Sequence, residues 1–187
     1  MESAFTDSFA VVRYLQDELA AFVDSLRREF TPGCPHRAHL TVLPPRSLSM
    51  DREAAIERCN AILESFGPFD VEISSVEMFE STQVIKLGIG RGKRELKGLH
   101  ELLNTGPFHA LETYEYNPHI TLCMEAPAEL VPAYFAMARE RWQHFGKPPA
   151  IHIDELTFVQ QRENGIWEDL AALSLDRAEP VGVRRSA

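Results

Sequence analysis

The sequence has few cysteines, no long apolar run and no excess of positive charge, and each of these absences excludes a class of protein. Its three cysteines show no CxxC spacing, so they indicate neither a disulfide framework nor a zinc motif. No apolar stretch approaches the roughly 18 residues that a membrane helix needs, and the N-terminus lacks the features of a signal peptide. We therefore expect a soluble cytoplasmic protein with reduced thiols.

The charge of the chain limits the ligands that it can bind. Asp and Glu number 28 against 19 for Lys and Arg, which gives a formal net charge of −9. Proteins that coat long nucleic acids obtain their affinity from many lysines and arginines that displace counterions. We therefore expect no binding to extended duplexes and none to membranes. A local site for a small or terminal phosphate is compatible with this charge.

What the sequence does contain is an ordinary globular composition arranged in short alternating elements. With 187 residues, 44% of them apolar, the chain can form one domain or two small halves that share a core. Apolar residues at helical spacing predict helices over 15–30, 49–66, 94–103 and 129–145. Short β-rich or alternating runs predict strands over 8–14, 38–43, 69–79, 83–89, 117–124, 151–161 and 166–175.

Turn residues indicate how these strands are connected. Asn164–Gly165 between two apolar runs is a strong hairpin signal, and residues 80–82 connect two strands that we expect to be antiparallel. Pro44 and Pro45 are expected to end their strand, and the tail from Arg177 is expected to be frayed. Frequent hairpins favour an α+β fold with largely antiparallel sheets over a doubly wound parallel fold.

The most informative feature is a His-x-Thr-x pattern that occurs twice, at His39–Val42 and at His119–Leu122. Both copies fall in predicted strands, where residues i and i+2 share one face. The histidine and threonine of each copy should therefore face a cleft while the two aliphatic residues face the core. A single copy would more often be structural. Two copies in similar contexts, each after a proline and before a helix, indicate two related halves around one site.

These residue types suit the cleavage of a phosphodiester. Imidazole has an ordinary pKa of about 6.5, so one histidine can remove a proton while another donates one near neutral pH. Two threonine hydroxyls can hold non-bridging phosphate oxygens without a metal ion. The pattern thus predicts in-line displacement at phosphorus between a base and an acid.

The segments PHRAHLTVLPP and NPHITL resemble the two-histidine phosphoesterase superfamily, which includes the 2′-5′ RNA ligase and 2′,3′-cyclic phosphodiesterase proteins. The resemblance covers roughly residues 8 to 175. It implies a bilobal fold of two pseudo-symmetric, largely antiparallel sheets that line a central cleft, with helices packed outside. It also implies metal-independent hydrolysis of 2′,3′-cyclic phosphates, or reversible formation of 2′-5′ linkages, by a single two-lobed domain over residues 1–187.

The resemblance assigns roles to four residues. His39 and His119 become the acid/base pair, and Thr41 and Thr121 become the phosphate donors. Hydrolytic members imply that His119 activates water and that His39 protonates the leaving oxygen, although the residues themselves leave base and acid open. We expect a monomer without a cofactor or metal, acting on a small nucleotide or an RNA terminus. The alternative is a non-catalytic protein that binds RNA ends or nucleotides in the same cleft.

Three further residues are candidates for substrate binding. Arg37 and Asn117 lie two positions before the histidines and share their face if the strands begin that early. Arg37 could then hold a phosphate with two hydrogen bonds, or it could be a solvent-facing residue of the rim. Tyr116 could stack on a nucleobase, or it could pack in the core.

A basic segment and a further histidine near the first motif each have a simpler explanation than a role in the site. Residues 86–97 carry five basic side chains and one acidic one, and could guide an RNA end into the cleft, although a solvated surface is the commoner explanation. His36 is an odd number of positions from His39, so we expect the two rings to face opposite ways and to make poor metal partners.

Overall fold

The computed structural model describes residues 3–146, 148 and 150–175 of the chain. The frayed tail expected from Arg177 lies outside this part. The first half of the chain contains β1 (Phe5–Tyr14), α1 (Asp17–Phe30), β2 (His39–Ser47), α2 (Arg52–Leu63), β3 (Phe69–Val71) and β4 (Ile73–Phe79). The second half contains β5 (Val84–Ile89), α3 (Lys93–Leu103), β6 (His119–Cys123), α4 (Val131–Phe145), β7 (Ile151–Ile153), β8 (Glu155–Arg162) and β9 (Trp167–Ser174).

The strands form three antiparallel sheets. The four-stranded sheet has the order β2-β1-β8-β9 and is called lobe A. The three-stranded sheet has the order β6-β5-β4 and is called lobe B, and β3 pairs with β7 in a small third sheet. The α+β fold with antiparallel sheets that the sequence predicted is confirmed. Within the described ranges no helix is long and apolar enough to cross a bilayer.

The two lobes repeat one arrangement. Lobe A includes β8 and β9 from the second half of the chain, and lobe B includes β4 from the first half. In lobe A, β1 lies between β2 and β8, while in lobe B, β5 lies between β6 and β4. The registers match at the motifs as well, so that the residues beside Thr41 in lobe A have counterparts beside Thr121 in lobe B. The central row of lobe A is Thr41, Val12 and Thr157, and the same row of lobe B is Thr121, Lys86 and Glu77.

The helices form where their ends are stabilised and their apolar stripes can be buried. Helix α1 buries Leu19, Val23 and Leu26 on one face and carries acidic residues in its first turn and basic residues in its last turn, which suits the helix dipole. Helix α2 is capped by Asp51, whose carboxylate accepts hydrogen bonds from two amides of the first turn.

The prediction that Pro44 and Pro45 end their strand is wrong. Strand β2 continues to Ser47. Its pairing with β1 is irregular on both sides of Val11, and neither proline has a partner in the register with β1. An edge strand with such an irregularity tolerates prolines because their missing amide donors are not needed by a neighbour.

Two predicted strands, 69–79 and 151–161, are each broken in two. The breaks fall at Glu72 and Asp154, equivalent positions in the two halves of the chain. The first pieces, β3 and β7, leave the larger sheets and pair with each other. Because the alternation of buried and exposed residues continues through Glu72, the sequence pattern looked like one uninterrupted strand.

A single hydrophobic cluster runs through both lobes. Phe9 stacks on Phe158 with ring centroids 5.1 Å apart and packs against Phe108 at 5.5 Å. The aliphatic residues of both motifs are fully buried in this cluster: Leu40, Val42, Ile120 and Leu122. Their burial fixes the two motif strands by their apolar faces and leaves the opposite faces to the histidines and threonines.

Candidate active site

The two motif strands begin at the histidines themselves. His39 is the first residue of β2 and His119 is the first residue of β6, and each strand lies at the edge of its sheet. Strands β2 and β6 contact each other, so lobes A and B meet along the two motifs. The polar faces of the two strands therefore lie at the junction of the lobes.

A cavity of 640 Å³ opens at this junction. His39 and Thr41 line it from lobe A, and Thr121 lines it from lobe B. His119 lies on the same strand face as Thr121 but outside the lining of the cavity. From the junction the cavity extends across lobe A as far as Trp167 in β9.

Both histidines are held in the same way. The Nδ1 atom of His39 lies 2.7 Å from the carbonyl oxygen of Arg37, and the Nδ1 atom of His119 lies 2.7 Å from the carbonyl oxygen of Asn117. Since a carbonyl only accepts, each Nδ1 carries the proton and donates it. In the neutral ring the Nε2 atom then has a free lone pair that can take a proton from a substrate or from water.

The surroundings favour the neutral form of both rings. Burial lowers the pKa of His39 to about 4, and the positive charge of Arg27 acts in the same direction. Burial also lowers the pKa of His119, an effect that its hydrogen bond to Asn117 partly opposes. A bound phosphate would supply the negative charge that favours protonation of one ring.

Arg27 of α1 crosses between the two motif strands. Its side chain is buried, with 6% of the residue exposed. The Nε atom donates to the carbonyl of Thr121 at 2.9 Å, and Nη1 donates to the carbonyl of Arg37 at 2.8 Å. The second carbonyl also accepts the hydrogen bond of His39. One guanidinium therefore fixes β6 to the segment that orients His39.

Tyr116, in the segment before β6, makes a second connection between the two motif regions. Its hydroxyl donates to the carbonyl of Thr41 at 2.8 Å, and its ring stacks on His100 with centroids 4.0 Å apart. His100 in turn lies 3.3 Å from the carboxylate of Glu112, which also pairs with the buried Arg46. This network holds the segment before β6 against β2, so the contacts of Tyr116 suit a positioning role better than base stacking.

Arg37 lies at the edge of the cavity with 60% of its side chain exposed. Its guanidinium lies 3.6 Å from the centroid of the Tyr14 ring and pairs with Asp169 of β9. The Tyr14 hydroxyl donates to the same carboxylate at 2.6 Å. Arg37 is therefore placed where it can meet a ligand, although Asp169 shares its charge.

The alternation of side chains between the two faces of a strand does not extend to the residues before His39. Cys34 to Ala38 are not in a strand, so the prediction that His36 faces away from His39 is wrong. The two rings lie edge to face, 6.4 Å apart, and both line the cavity. Among the residues that the structure describes, no group of three or more His, Cys, Asp or Glu side chains could hold a metal ion.

The basic segment 86–97 is not one surface. Lys86 is buried in β5 beside Glu77, whereas Lys97 pairs with the exposed carboxylate of Glu115 on the outside of α3. Lys86 is therefore not one of the surface charges of this segment.

The chain is similar in sequence to a known superfamily of proteins. A family model for the 2′-5′ RNA ligase superfamily matches residues 15–165. The chain belongs to this superfamily. A protein of Halalkalibacterium halodurans named "Putative phosphoesterase BH1439" is 23% identical over 184 residues, which cover 92% of this chain and 99% of that protein. Membership of the superfamily supports a phosphodiesterase-type function.

Solved structures show the same fold. The crystal structure of E. coli LigT complexed with phosphate matches 93% of this chain and 100% of its own, with 18% identity and a TM-score of 0.59. LigT complexed with 3′-AMP matches 93% of this chain and 99% of its own, also with 18% identity and a TM-score of 0.59.

Arg27 and Lys86 both lie next to the motif strands, but the sequence did not single out either of them. Arg27 sits in a helix whose last turn is basic, which is common because such charges favour the helix dipole. Lys86 stands in an otherwise apolar strand, VIKLGI, and that isolated charge was the signal that could have found it.

We expect Arg27→Met to lower the free energy of unfolding by about 3 kcal/mol, because it removes the charged hydrogen bonds to the carbonyls of Thr121 and Arg37. Denaturant unfolding followed by circular dichroism measures this change. Arg28→Met is the matched control, since Arg28 is the exposed neighbour on the same helix and should change stability by less than about 0.5 kcal/mol. Equal stability of the two variants would contradict the bridging role of Arg27.

The lowered pKa of His39 predicts a pH dependence of stability. As the pH falls below about 6.5, His39 takes up a proton in the unfolded chain first, because its pKa in the folded protein is about 4. Stability should therefore decrease between pH 6.5 and 4, and His39→Asn should reduce that decrease. Urea midpoints at pH 8, 7 and 4.5 measure it. Both proteins should respond alike from pH 8 to 7, and equal losses from pH 7 to 4.5 would refute the assignment.

Proposed function

We propose that this protein is a metal-independent phosphodiesterase that opens 2′,3′-cyclic phosphates of nucleotides or RNA ends, or acts on related 2′-5′ phosphodiesters. The observation that carries the proposal is the matched orientation of His39 and His119, one from each lobe, with both Nδ1 atoms held by a carbonyl at 2.7 Å. Each Nε2 atom is left free to exchange a proton, as acid/base catalysis requires.

The reaction transfers two protons and exchanges two bonds at phosphorus. One imidazole Nε2 removes a proton from water while the water oxygen forms a bond to phosphorus. The bond from phosphorus to the ribose 2′ or 3′ oxygen breaks, and the second imidazole gives that oxygen a proton. The product is a nucleoside monophosphate. Resemblance to hydrolytic members assigns the water to His119 and the leaving oxygen to His39.

The threonines and Arg27 suit the charge that develops on the phosphate. Thr41 and Thr121 line the cavity from opposite lobes, and their hydroxyls can donate to the non-bridging oxygens. The backbone carbonyl of Thr41 is held by Tyr116 and that of Thr121 by Arg27, so both donors sit on fixed strands. The buried charge of Arg27 adds a favourable potential for an anion.

The cavity is larger than a phosphate group needs, and its far end is apolar. Ala10, Val12 and Val159 form a small buried cluster on the cavity side of lobe A, and Tyr14 and Trp167 pack against it. We call these five residues the apolar shelf. A flat nucleobase can lie on such a surface with little sequence preference, because every base offers an aromatic face. The shelf therefore favours a nucleotide over a bare phosphate as the ligand.

Known ligands of a structural relative are compatible with this proposal. E. coli LigT has been solved with phosphate and with 3′-AMP, which correspond to the reacting group and to a nucleotide product. The proposal for the present chain rests on its own two histidines and two threonines.

We expect His39→Ala and His119→Ala each to lower kcat/KM for a 2′,3′-cyclic nucleotide by about 10³-fold or more, because each removes one proton transfer. The assay separates cyclic nucleotide, 2′-phosphate and 3′-phosphate by chromatography, with excess chelator present throughout. The wild type should remain active in chelator. His109→Ala replaces an exposed histidine that lies outside both motif strands and does not line the cavity, and it should keep full activity.

Three results would contradict this proposal. Unchanged turnover in either motif variant would remove the histidine from the reaction. Loss of wild-type activity in chelator, restored by zinc or manganese, would show a metal requirement. Binding of the cyclic nucleotide without any product would favour a non-catalytic nucleotide-binding protein.

We expect Trp167→Ala to raise KM for a 2′,3′-cyclic nucleotide about 10-fold with little change in kcat, because stacking of a base contributes about 1–3 kcal/mol. Methyl riboside 2′,3′-cyclic phosphate, which lacks a base, should show the same KM in variant and wild type. The second tryptophan, Trp142, packs with Phe22 and Phe145 and provides the matched control Trp142→Ala. An unchanged KM in Trp167→Ala would exclude the shelf as the base subsite.

A further inference from the structure

An ion pair between a buried lysine and a half-exposed glutamate lies on the lobe B side of the cleft, next to His119. Lys86 of β5 is 3% exposed at its side chain, and its ammonium group donates to Oε2 of Glu77 in β4. Lys86 is directly opposite Thr121, and Glu77 is directly opposite Lys86. Residues opposite one another in a sheet share a face, so the pair lies on the same face as the motif of lobe B.

A glycine makes room for this pair. Gly88 is directly opposite His119, and a Cβ atom at Gly88 would lie 2.1 Å from Oε1 of Glu77 and 2.7 Å from the hydroxyl of Ser74. The Ser74 hydroxyl donates to Oε1 at 3.3 Å, so each carboxylate oxygen has a donor. The carboxylate is therefore held over the backbone that pairs with His119.

The other lobe has no ion pair at the equivalent positions. There lobe A has Val12 in place of Lys86 and Thr157 in place of Glu77. A buried charge such as the Lys86 ammonium loses hydration, so an apolar residue at its position is often no less stable. A buried lysine beside the site, where the matching sheet has a valine, therefore points to a role in the site.

The pair is connected to His119 through Phe79. The Lys86 ammonium lies 4.6 Å from the centroid of the Phe79 ring, and this ring meets the His119 ring edge to face with centroids 5.0 Å apart. The ammonium thereby holds the aromatic ring that packs against the imidazole. His39 packs differently, with Tyr14 at 6.5 Å and His36 at 6.4 Å.

The charged groups around His119 come from three strands. Lys86 on β5 lowers the pKa of His119, Glu77 on β4 raises it, and His39 on β2 interacts with it across the cleft. Around His39 the groups that lower its pKa are instead the guanidinium of Arg27 and the imidazoles of His36 and His119. Only the lobe B histidine has a carboxylate among the charges that act on it in the described structure.

We propose that Lys86 and Glu77 are positioning residues for His119: the pair orients its ring through Phe79 and sets the charge on its side of the cleft, so that the two histidines are not interchangeable. The proposal rests on the function assigned above to the two histidines. It goes beyond that function because it names the residues that distinguish one motif from the other.

The test is the protonation midpoint of each histidine ring, followed by NMR in the full chain from pH 8 to 3, a measurement that needs no turnover. Lys86→Met removes a positive charge and should raise the midpoint of His119 by about 0.5–1 pH unit, whereas Glu77→Gln removes a negative charge and should lower it by a similar amount. The midpoint of His39 should move less in both variants.

The double variant Lys86→Val/Glu77→Thr copies the residues of lobe A and is the control for folding. It should keep the melting temperature within a few degrees of the wild type and bring the His119 midpoint back between those of the two single variants. If both single variants move the His119 midpoint in the same direction, or leave it within about 0.2 unit of the wild type, the proposal is overturned.

Turnover separates this proposal from the function on which it rests. Lys86→Met should shift the His119-dependent limb of the kcat/KM profile in the same direction as its NMR midpoint. A wild type that shows no turnover while the midpoints shift as expected would refute the phosphodiesterase function and leave the positioning role intact. Full turnover with unmoved midpoints would refute only the positioning role.

Discussion

The active-site geometry depends on the buried guanidinium of Arg27. The two histidines belong to different sheets, so their separation is set by whatever holds the two edge strands together. Arg27 does this from α1, by donating to the Thr121 carbonyl of β6 and to the Arg37 carbonyl that orients His39. Hydrogen bonds from a charged donor to carbonyls in a poorly solvated place are strong and directional. The same charge that fixes the strands also lowers the pKa of His39.

The internal repeat explains why the site can be both symmetric and directional. The orientation of the imidazoles is common to the two lobes, because each Nδ1 atom bonds to the carbonyl two residues earlier. The residues opposite the motif threonines differ, because Val12 is opposite Thr41 in lobe A and Lys86 is opposite Thr121 in lobe B. Symmetry thus supplies two equivalently oriented imidazoles, while the residues opposite the motif threonines make one side of the site apolar and the other side charged. A phosphodiester reaction needs this asymmetry, since its attacking and leaving groups are chemically different.

The sequence predicted the helices, most strands and the antiparallel pairing because these depend on local periodicity. It also pointed to His39 and His119, since the short pattern around them occurs twice. It could not predict the break at Glu72, where the alternation of side chains continues although the strand changes partner. Nor could it place Arg27 or Tyr116, whose contacts with the opposite motif strand are set by how the two lobes dock. A tertiary contact of this kind leaves no periodic signal.

In the proposed reaction, the lowered pKa values of the two histidines connect binding to catalysis. Burial favours the neutral form of both rings in the free protein, because it removes the water that would stabilise the charged forms. The proposed base is then ready, whereas the proposed acid gains its proton only when something at the site favours the imidazolium. An anionic phosphate between the rings does so by its own charge. Protonation of the acid and binding of the substrate then stabilise each other, so the catalytically competent charge state forms chiefly when a phosphate is present.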